Sequence, residues 1–114
     1  MIANHRVVLT IPAGRRRYLD VLIPQILREA GWDELQIWLN TGDAADLAYL
    51  HALPARDPRI RLLPLPDGVK PRGPRTIHHF FTHCTADDTV YIRIDDDICY
   101  LEQQVIAKLA HFRI

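Results

Sequence analysis

Short apolar runs alternate with helix-like segments along the chain, and this alternation limits the fold more than any other feature. The apolar runs cover residues 6–13, 35–42, 59–66 and 89–94. After each of them, apolar residues recur at helical spacing, over 15–31, 43–53, 74–84 and 102–112. Strands that alternate with helices predict right-handed crossover connections and a mostly parallel sheet covered on both faces.

The expected architecture is therefore an α/β, Rossmann-like three-layer sandwich that uses residues 1–114 as one domain. A chain of 114 residues is long enough to bury a substantial core but too short for two domains. Pro24 lies inside the first helical pattern and predicts a kink or a late start there. Asp43 is suited to cap the second helix.

Composition and charge narrow the class of partner. The formal net charge is zero, so nothing in the total charge points to nucleic acid. The two cysteines, Cys84 and Cys99, form no C-x-x-C pair and are expected to be reduced thiols of an intracellular protein. The amino-terminal apolar run, 7–13, is too short for a signal sequence, and no run approaches a transmembrane segment, so a cytoplasmic location is expected.

Polar residues follow every predicted strand. In open parallel sheets, ligands bind beyond the carboxyl ends of the strands, so these residues are expected to converge on one edge. They are Pro12 to Arg15 after the first strand, Asn40 to Asp43 after the second, Pro66 to Gly68 with Lys70 and Arg72 after the third, and Asp95, Asp96 and Asp97 after the fourth.

The three consecutive aspartates are the most specific chemical signal. If the strand stays extended through them, Asp95 and Asp97 share one face and Asp96 points to the other. Two carboxylates at that spacing suit one divalent cation, and oxygen ligands without a Cys/His cage favour Mg²⁺ or Mn²⁺ shared with substrate phosphates. The alternative is a solvated turn whose negative charge caps the next helix, and Asp96 is expected to be structural in either case.

An apolar strand that ends in D-x-D and is followed by an apolar residue and a helix resembles the metal-binding motif of GT-A glycosyltransferases, which use nucleotide-sugar donors. The first strand with its proline-containing loop (TIPAGRRRYL) and the basic, glycine-containing segment GVKPRGPRTIHHF are placed as in that family. The resemblance implies a nucleoside-diphosphate-sugar donor with Mn²⁺ or Mg²⁺, and an acceptor that the sequence does not identify.

The resemblance also implies roles for individual residues. Asp97 would bind the metal ion that bridges the donor diphosphate, and Asp95 would lie near the ribose or the same ion. Pro12 and Ala13 would line the base pocket. Arg75, or Lys70 and Arg72, would approach the nucleotide or its phosphates. Family members often read the base with an aspartate after the second strand, where this chain has Asn40, with Asp43 three residues on.

The motif lies one helix before the end of the chain, so the resemblance covers only the donor-binding half of the family's fold. We therefore expect a domain truncated at its carboxyl end, with exposed apolar surface that favours a homo-oligomer. Two other functions stay open: a non-catalytic metal- or nucleotide-binding module, and a haloacid-dehalogenase-type phosphatase, which uses D-x-D with its first aspartate as nucleophile.

Three further groups have a functional and a structural interpretation. The helix dipole disfavours cations at the start of the first helix, where the chain has Arg15, Arg16 and Arg17. This placement suggests a bound anion, and Arg15 is the nearest of the three to the site. The alternative is that Arg16 or Arg17 pairs with Asp20. His79 and His83 have the spacing of a zinc pair but lack further ligands. Trp38, Ile77, Phe80 and Phe81 are expected in the core.

Overall fold

A computed structural model describes residues 1–98 and 100–113, and it contains one all-parallel sheet of four strands. The expected α/β, Rossmann-like arrangement is confirmed, because helical elements separate the strands. Cys99 lies outside the described residues. The elements are β1 (Arg6–Ala13), α1 (Arg16–Arg28), β2 (Glu34–Leu39), α2 (Ala44–Ala52), β3 (Ile60–Pro64), β4 (Thr89–Arg93) and α3 (Val105–Arg113), with 3₁₀ turns at Leu53–Ala55, Gly73–His79 and Phe81–His83.

One face of the sheet carries all three α-helices. Alternate residues of a strand point to the same face, and the odd-numbered apolar positions of β1 and β2 belong to the main core cluster. The helices contribute Leu22 and Ile26 from α1, Leu50 from α2 and Ile106 from α3 to the same cluster. These helices therefore form a single layer against one face of the sheet.

The other face is covered by the two 3₁₀ turns of residues 73–83, here called the 3₁₀ segment. Trp38, Leu63 and Phe80 form a second buried cluster there, and the Trp38 and Phe80 rings stack with centroids 5.1 Å apart. The expected α-helix over 74–84 is wrong. The chain forms two short 3₁₀ turns instead, and the Thr76 hydroxyl holds the first of them by its bonds to Asn40 Oδ1 and to the Arg72 N–H.

Phe81 was expected in the core, and that expectation is also wrong. Phe81 is 46% exposed, and its ring meets that of Trp38 in a T-shaped contact with centroids 5.2 Å apart. The 3₁₀ geometry brings Phe80 onto the sheet and turns its neighbour outward. Trp38 is fully buried, as expected.

The remaining sequence expectations concern helix starts and caps. Helix α1 begins at Arg16 and continues through Pro24 to Arg28, so a late start at Pro24 is wrong. Asp43 caps α2 as expected, because its carboxylate accepts a hydrogen bond of 2.9 Å from the Asp46 N–H. Helix α3 begins at Val105, three residues later than expected.

The sheet has the strand order β3-β2-β1-β4, and this order creates a topological switch point. From β1 the chain moves through α1 and α2 toward one edge of the sheet. It then crosses the second face through the 3₁₀ segment and returns as β4 on the far side of β1. The crevice at such a point, between the carboxyl ends of β1 and β4, is where ligands bind in folds of this type.

No helix within residues 1–98 and 100–113 is long and apolar enough to cross a membrane.

Candidate functional site

A cavity of about 520 Å³ lies at the switch point, beyond the carboxyl ends of β1, β2 and β4. Binding sites for small molecules typically enclose roughly 300–1,000 Å³, so this cavity has a suitable size. It is lined by Pro12, Ala13, Gly14, Arg15, Asn40, Thr41, Gly73, Pro74, Ile77, Arg93, Asp95, Asp96 and Asp97.

A pair of charged side chains joins the two sides of the crevice. Arg15 donates to Asp96 through Nη2 to Oδ1 at 2.6 Å and through Nε to Oδ2 at 3.3 Å. The Gly14 N–H also donates to Asp96 Oδ2, at 3.3 Å. The hydrogen bond to Asp96 raises the pKa of Arg15 above its ordinary value. This fork ties the loop after β1 to the turn after β4.

The three aspartates do not lie on an extended strand. Strand β4 ends at Arg93, and Asp96 and Asp97 form a turn in which Ile98 N–H reaches the Asp95 carbonyl at 3.3 Å. The expected alternation of faces is therefore wrong as a description of the backbone. The turn nevertheless separates Asp96, whose side chain is 10% exposed, from Asp95 and Asp97, whose side chains are 60% and 56% exposed.

Arg93 lines the cavity although the sequence interpretation passed over it. Its Nη2 lies 3.2 Å from Asp95 Oδ1. Arg15 Nη2 lies 3.8 Å from Asp97 Oδ2, so each of the three aspartates has an arginine nitrogen within 4 Å. The sequence signal that could have identified Arg93 is its position as the last residue of a strand, next to an acidic turn. Ile77 and Pro74 were missed as lining residues because the 3₁₀ segment was expected to be an α-helix.

Asn40 reaches the cavity, but both ends of its amide are already used. Its Nδ2 donates to the Gly73 carbonyl at 2.9 Å, and its Oδ1 accepts from the Thr76 hydroxyl at 2.6 Å. Thr76 Oγ1 in turn accepts from the Arg72 N–H at 3.0 Å. Asn40 therefore fastens the 3₁₀ segment to the end of β2 and holds one wall of the cavity in place.

Not every predicted site residue reaches the cavity. Pro12, Ala13, Arg15 and Asn40 line it together with Asp95, Asp96 and Asp97. Asp43 is occupied at the start of α2. Lys70, Arg72 and Arg75 are exposed in or beside the 3₁₀ segment and are absent from the cavity lining.

A metal ion would find only part of its coordination shell here. Within the described residues, no group of three or more His, Cys, Asp or Glu side chains is arranged to hold a metal ion, and this includes the region of His79 and His83. Asp95 and Asp97 supply exposed carboxylates of the kind Mg²⁺ uses when substrate phosphates and water complete the shell. The donor set therefore fits an ion that arrives with a phosphate ligand, and it does not form a self-sufficient site.

The fold and the cavity define an α/β protein with a crevice at the switch point of a parallel sheet. Comparisons of this chain with protein-family models, with curated proteins and with solved structures give no match. Function is therefore argued from the site.

Proposed function

We propose that the crevice binds the diphosphate of a nucleotide sugar together with Mn²⁺ or Mg²⁺, as the donor-binding part of a glycosyltransferase. The observation that carries this proposal is the position of Asp95 and Asp97 at the switch-point cavity, where Arg15 and Arg93 face them. A ligand that satisfies both signs of charge must offer anionic oxygens and a cation, and a metal-bound diphosphate offers both.

The exposed ion pairs that line the cavity can be exchanged for ligand contacts at little cost in free energy. The contacts of Arg93 with Asp95 and of Arg15 with Asp97 involve side chains that are 45–60% exposed. Exposed ion pairs of this kind contribute about 0–1 kcal/mol each. A cation can therefore take the carboxylates while the Arg93 guanidinium turns to phosphate oxygens, which arginine binds well.

The fork between Arg15 and Asp96 would keep the rim of the cavity in place during this exchange. Asp96 is buried and accepts three hydrogen bonds, from Gly14 N–H and from two nitrogens of Arg15. The loop after β1 and the turn after β4 are therefore joined before any ligand arrives. Preorganisation of this kind lowers the ordering that binding must impose.

The cavity lining also includes apolar side chains that suit a ring. These are Pro12, Pro74 and Ile77. A nucleobase or a ribose presents flat or weakly polar surface that packs against such side chains, while the diphosphate extends toward the aspartates. The bound metal ion would act as a Lewis acid that stabilises the charge of the leaving diphosphate.

The experiment is a calorimetric titration of UDP and GDP into the protein, with and without Mn²⁺. The variants are Asp97→Ala and, as a matched control, Asp67→Ala, which changes an exposed aspartate outside the cavity lining. We expect metal-dependent binding in the wild type and in the control, and its loss in Asp97→Ala. Absence of binding by either nucleotide to the folded wild type would overturn the proposal.

A non-catalytic nucleotide-binding module is the second candidate, and one observation favours it. The described cavity residues that could accept a proton are the three aspartates, and each has an arginine nitrogen within 4 Å. Carboxylates that guanidinium groups already engage are poorly placed to take a proton from an acceptor hydroxyl. Metal-dependent binding without consumption of UDP-glucose or GDP-mannose would favour the module.

A further inference from the structure

We propose that Pro12 holds β1 and β4 apart at the switch point and leaves its own carbonyl oxygen as a hydrogen-bond acceptor for the nucleoside part of the ligand. Pro12 is in this sense a positioning residue of the crevice. Its role in separating the strands follows from the fold alone, whereas its role toward the ligand rests on the proposed function.

Proline is an unusual residue at this place in a sheet. The strand order is β3-β2-β1-β4, so β1 is a central strand, and Pro12 is its last residue but one. Proline cannot donate to a ladder of hydrogen bonds and is therefore found almost only on edge strands, at strand starts or at bulges. A residue that breaks such a local rule in an otherwise regular strand marks a candidate functional position.

The ladders on the two sides of β1 end at different levels. Towards β2, the strand stays paired through Ala13, whose carbonyl accepts from the Asn40 N–H at 3.1 Å. Towards β4, the pairing ends at Thr10, whose carbonyl accepts from the Ile94 N–H at 2.8 Å. The crevice therefore opens on one side of β1 only, and it begins at Pro12.

The missing N–H of Pro12 accounts for this difference. Arg6 N–H donates to the Asp88 carbonyl at 3.0 Å, so the even-numbered residues of β1 direct their backbone groups toward β4. The next bond of this ladder would run from an N–H at position 12 to the Ile94 carbonyl, and proline has no N–H. The bonds of β1 to β2 are unaffected, because position 12 does not face β2.

The carbonyls of Pro12 and Ile94 remain without a ladder partner at this point. The Pro12 carbonyl would pair with the Asp96 N–H if β4 continued, but β4 ends at Arg93 and the chain turns at Asp96. Within residues 1–98 and 100–113, neither carbonyl accepts a hydrogen bond. Backbone carbonyls are strong acceptors, and an unpaired one is satisfied by water or by a ligand. Pro12 lines the cavity, so a ligand can reach its carbonyl.

The chemistry of the proposed ligand identifies the nucleoside as the group that donates. A metal-bound diphosphate offers acceptor oxygens, whereas a ribose hydroxyl or a ring N–H donates. The Asn40 amide oxygen already accepts from the Thr76 hydroxyl at 2.6 Å. The Pro12 carbonyl, which has no partner among the described residues, is the more available acceptor for the nucleoside.

Hydrogen exchange of one new amide tests the first role. Pro12→Ala supplies the missing N–H, and we expect this amide to exchange about tenfold or more slowly than an unbonded amide, because it can bond to the Ile94 carbonyl. Pro64→Ala on β3 is the matched control. Leu35 N–H donates to the Arg59 carbonyl at 3.0 Å, so the odd-numbered residues of β3 face β2. The new amide at position 64 should point outward from the edge of the sheet and exchange rapidly.

Calorimetric titration in the presence of Mn²⁺ tests the second role, with UDP and inorganic pyrophosphate as the ligands. Pro12→Ala should weaken UDP binding by about two- to tenfold, which corresponds to one hydrogen bond, because the new bond to Ile94 narrows the gap for the nucleoside. Pyrophosphate has no nucleoside, and its affinity for the same variant should stay close to that of the wild type. Pro64→Ala should bind both ligands as the wild type does, since Pro64 lies outside the cavity lining.

A measurement on the wild type remains decisive if Pro12→Ala does not fold. In protein labelled with ¹³C at the proline carbonyls, UDP with Mg²⁺ should shift the Pro12 resonance and leave the Pro64 resonance in place. Pyrophosphate with Mg²⁺ should shift neither. With 3-methyl-UDP, which lacks the ring N–H, loss of the shift would identify that group as the donor, and its persistence would identify a ribose hydroxyl.

Each part of the proposal can be overturned separately. Equal exchange rates of the new amides at positions 12 and 64 would show that proline does not end the ladder. UDP binding by folded Pro12→Ala that equals the wild type, or a Pro12 carbonyl resonance that UDP does not move, would exclude the role toward the ligand. Absence of metal-dependent UDP binding to the folded wild type would overturn the proposed function and this second role, and the exchange comparison would still decide the first.

Discussion

Arg15 and Asp96 are 81 positions apart in the chain, yet Arg15 Nη2 and Asp96 Oδ1 approach to 2.6 Å. Arg15 precedes α1, and Asp96 follows β4, so the pair spans the boundary at which the sheet reverses its winding. The contact explains why an arginine stands at a helix start that disfavours cations, because Asp96 and Asp97 supply compensating negative charge within 4 Å.

Asp96→Asn should lower the free energy of unfolding by about 1–2 kcal/mol, because an amide NH₂ would face donors of Gly14 and Arg15. Because the Arg15 side chain is half exposed, the loss should lie toward the lower end of the range for hydrogen bonds to charged groups. Urea unfolding followed by circular dichroism measures it. Asp95→Asn is the control from the same turn, and a loss as large as that of Asp96→Asn would contradict the assignment of Asp96 as the structural carboxylate.

Thr76→Val should loosen the 3₁₀ segment by about 1–3 kcal/mol, since it leaves Asn40 Oδ1 and the Arg72 N–H without the hydroxyl they share. Val keeps the shape of Thr, so packing changes little. Thr82→Val is the matched control, because Thr82 is exposed and its hydroxyl donates to the His79 carbonyl of the same turn, at 3.0 Å. Proteolysis within residues 73–83 should be faster in Thr76→Val alone, and equal rates in the two variants would disprove the role of Thr76.

The pair of Asp57 and Arg59 predicts a pH dependence of stability. The hydrogen bond from the Arg59 side chain, followed by that from its backbone N–H, lowers the pKa of Asp57 from 3.8 to about 2. Because the pKa is lower in the folded state, the stabilisation is fully present above the unfolded value and is lost as the pH falls from about 5 toward 2. The pair is partly exposed, so its contribution is about 1 kcal/mol or less.

Asp57→Asn should therefore unfold more easily than the wild type at pH 6, and the difference should shrink as the pH falls below 4. Thermal unfolding across this pH range measures it, with Asp67→Asn as the control for the loss of one exposed carboxylate. A difference that stays constant from pH 6 to pH 2 would mean that the charge of Asp57 is not the cause.

Gly31→Ala should destabilise the protein by about 1–2 kcal/mol, because Gly31 has a φ of 95° and a new Cβ would lie 3.0 Å from Ile2 Cδ1. Gly68→Ala is a sharp control, since Gly68 has a φ of 80° but a Cβ there would meet nothing within 4 Å. The difference in unfolding free energy between the two variants isolates the contact with Ile2. Equal losses would assign the whole effect to backbone strain.

The sheet was predictable because the strands carry their signal locally. Each apolar run is short, and a turn residue such as Gly14 marks where it stops. Convergence of Arg15, Asn40 and the aspartates on one edge followed from the parallel topology. The prediction of an α-helix over 74–84 was wrong, because a helical pattern of apolar residues does not distinguish an α-helix from two short 3₁₀ turns. Here the hydrogen bond from Thr76 to Asn40 holds the turns in place.

The detail of the site depended on partners that no local pattern reveals. The sequence does not show that both the Nδ2 and the Oδ1 of Asn40 are hydrogen-bonded to the 3₁₀ segment, or that Arg93 faces Asp95. The turn at Asp96 and Asp97 likewise depends on Arg15 and Gly14, which are distant in sequence. Tertiary contacts overrode the extended conformation that the apolar strand suggested.

The strand order has a consequence for how the protein folds. Strands β1 and β4 are the first and the fourth along the chain but lie side by side, so the crevice between them does not exist until the most distant pairing in the sheet has formed. Pairings between distant segments are late and slow steps of folding. A ligand of the crevice would bind only the completed fold and would shift the folding equilibrium toward it by mass action. A rise in Tm with ligand concentration would therefore report that β4 is paired with β1.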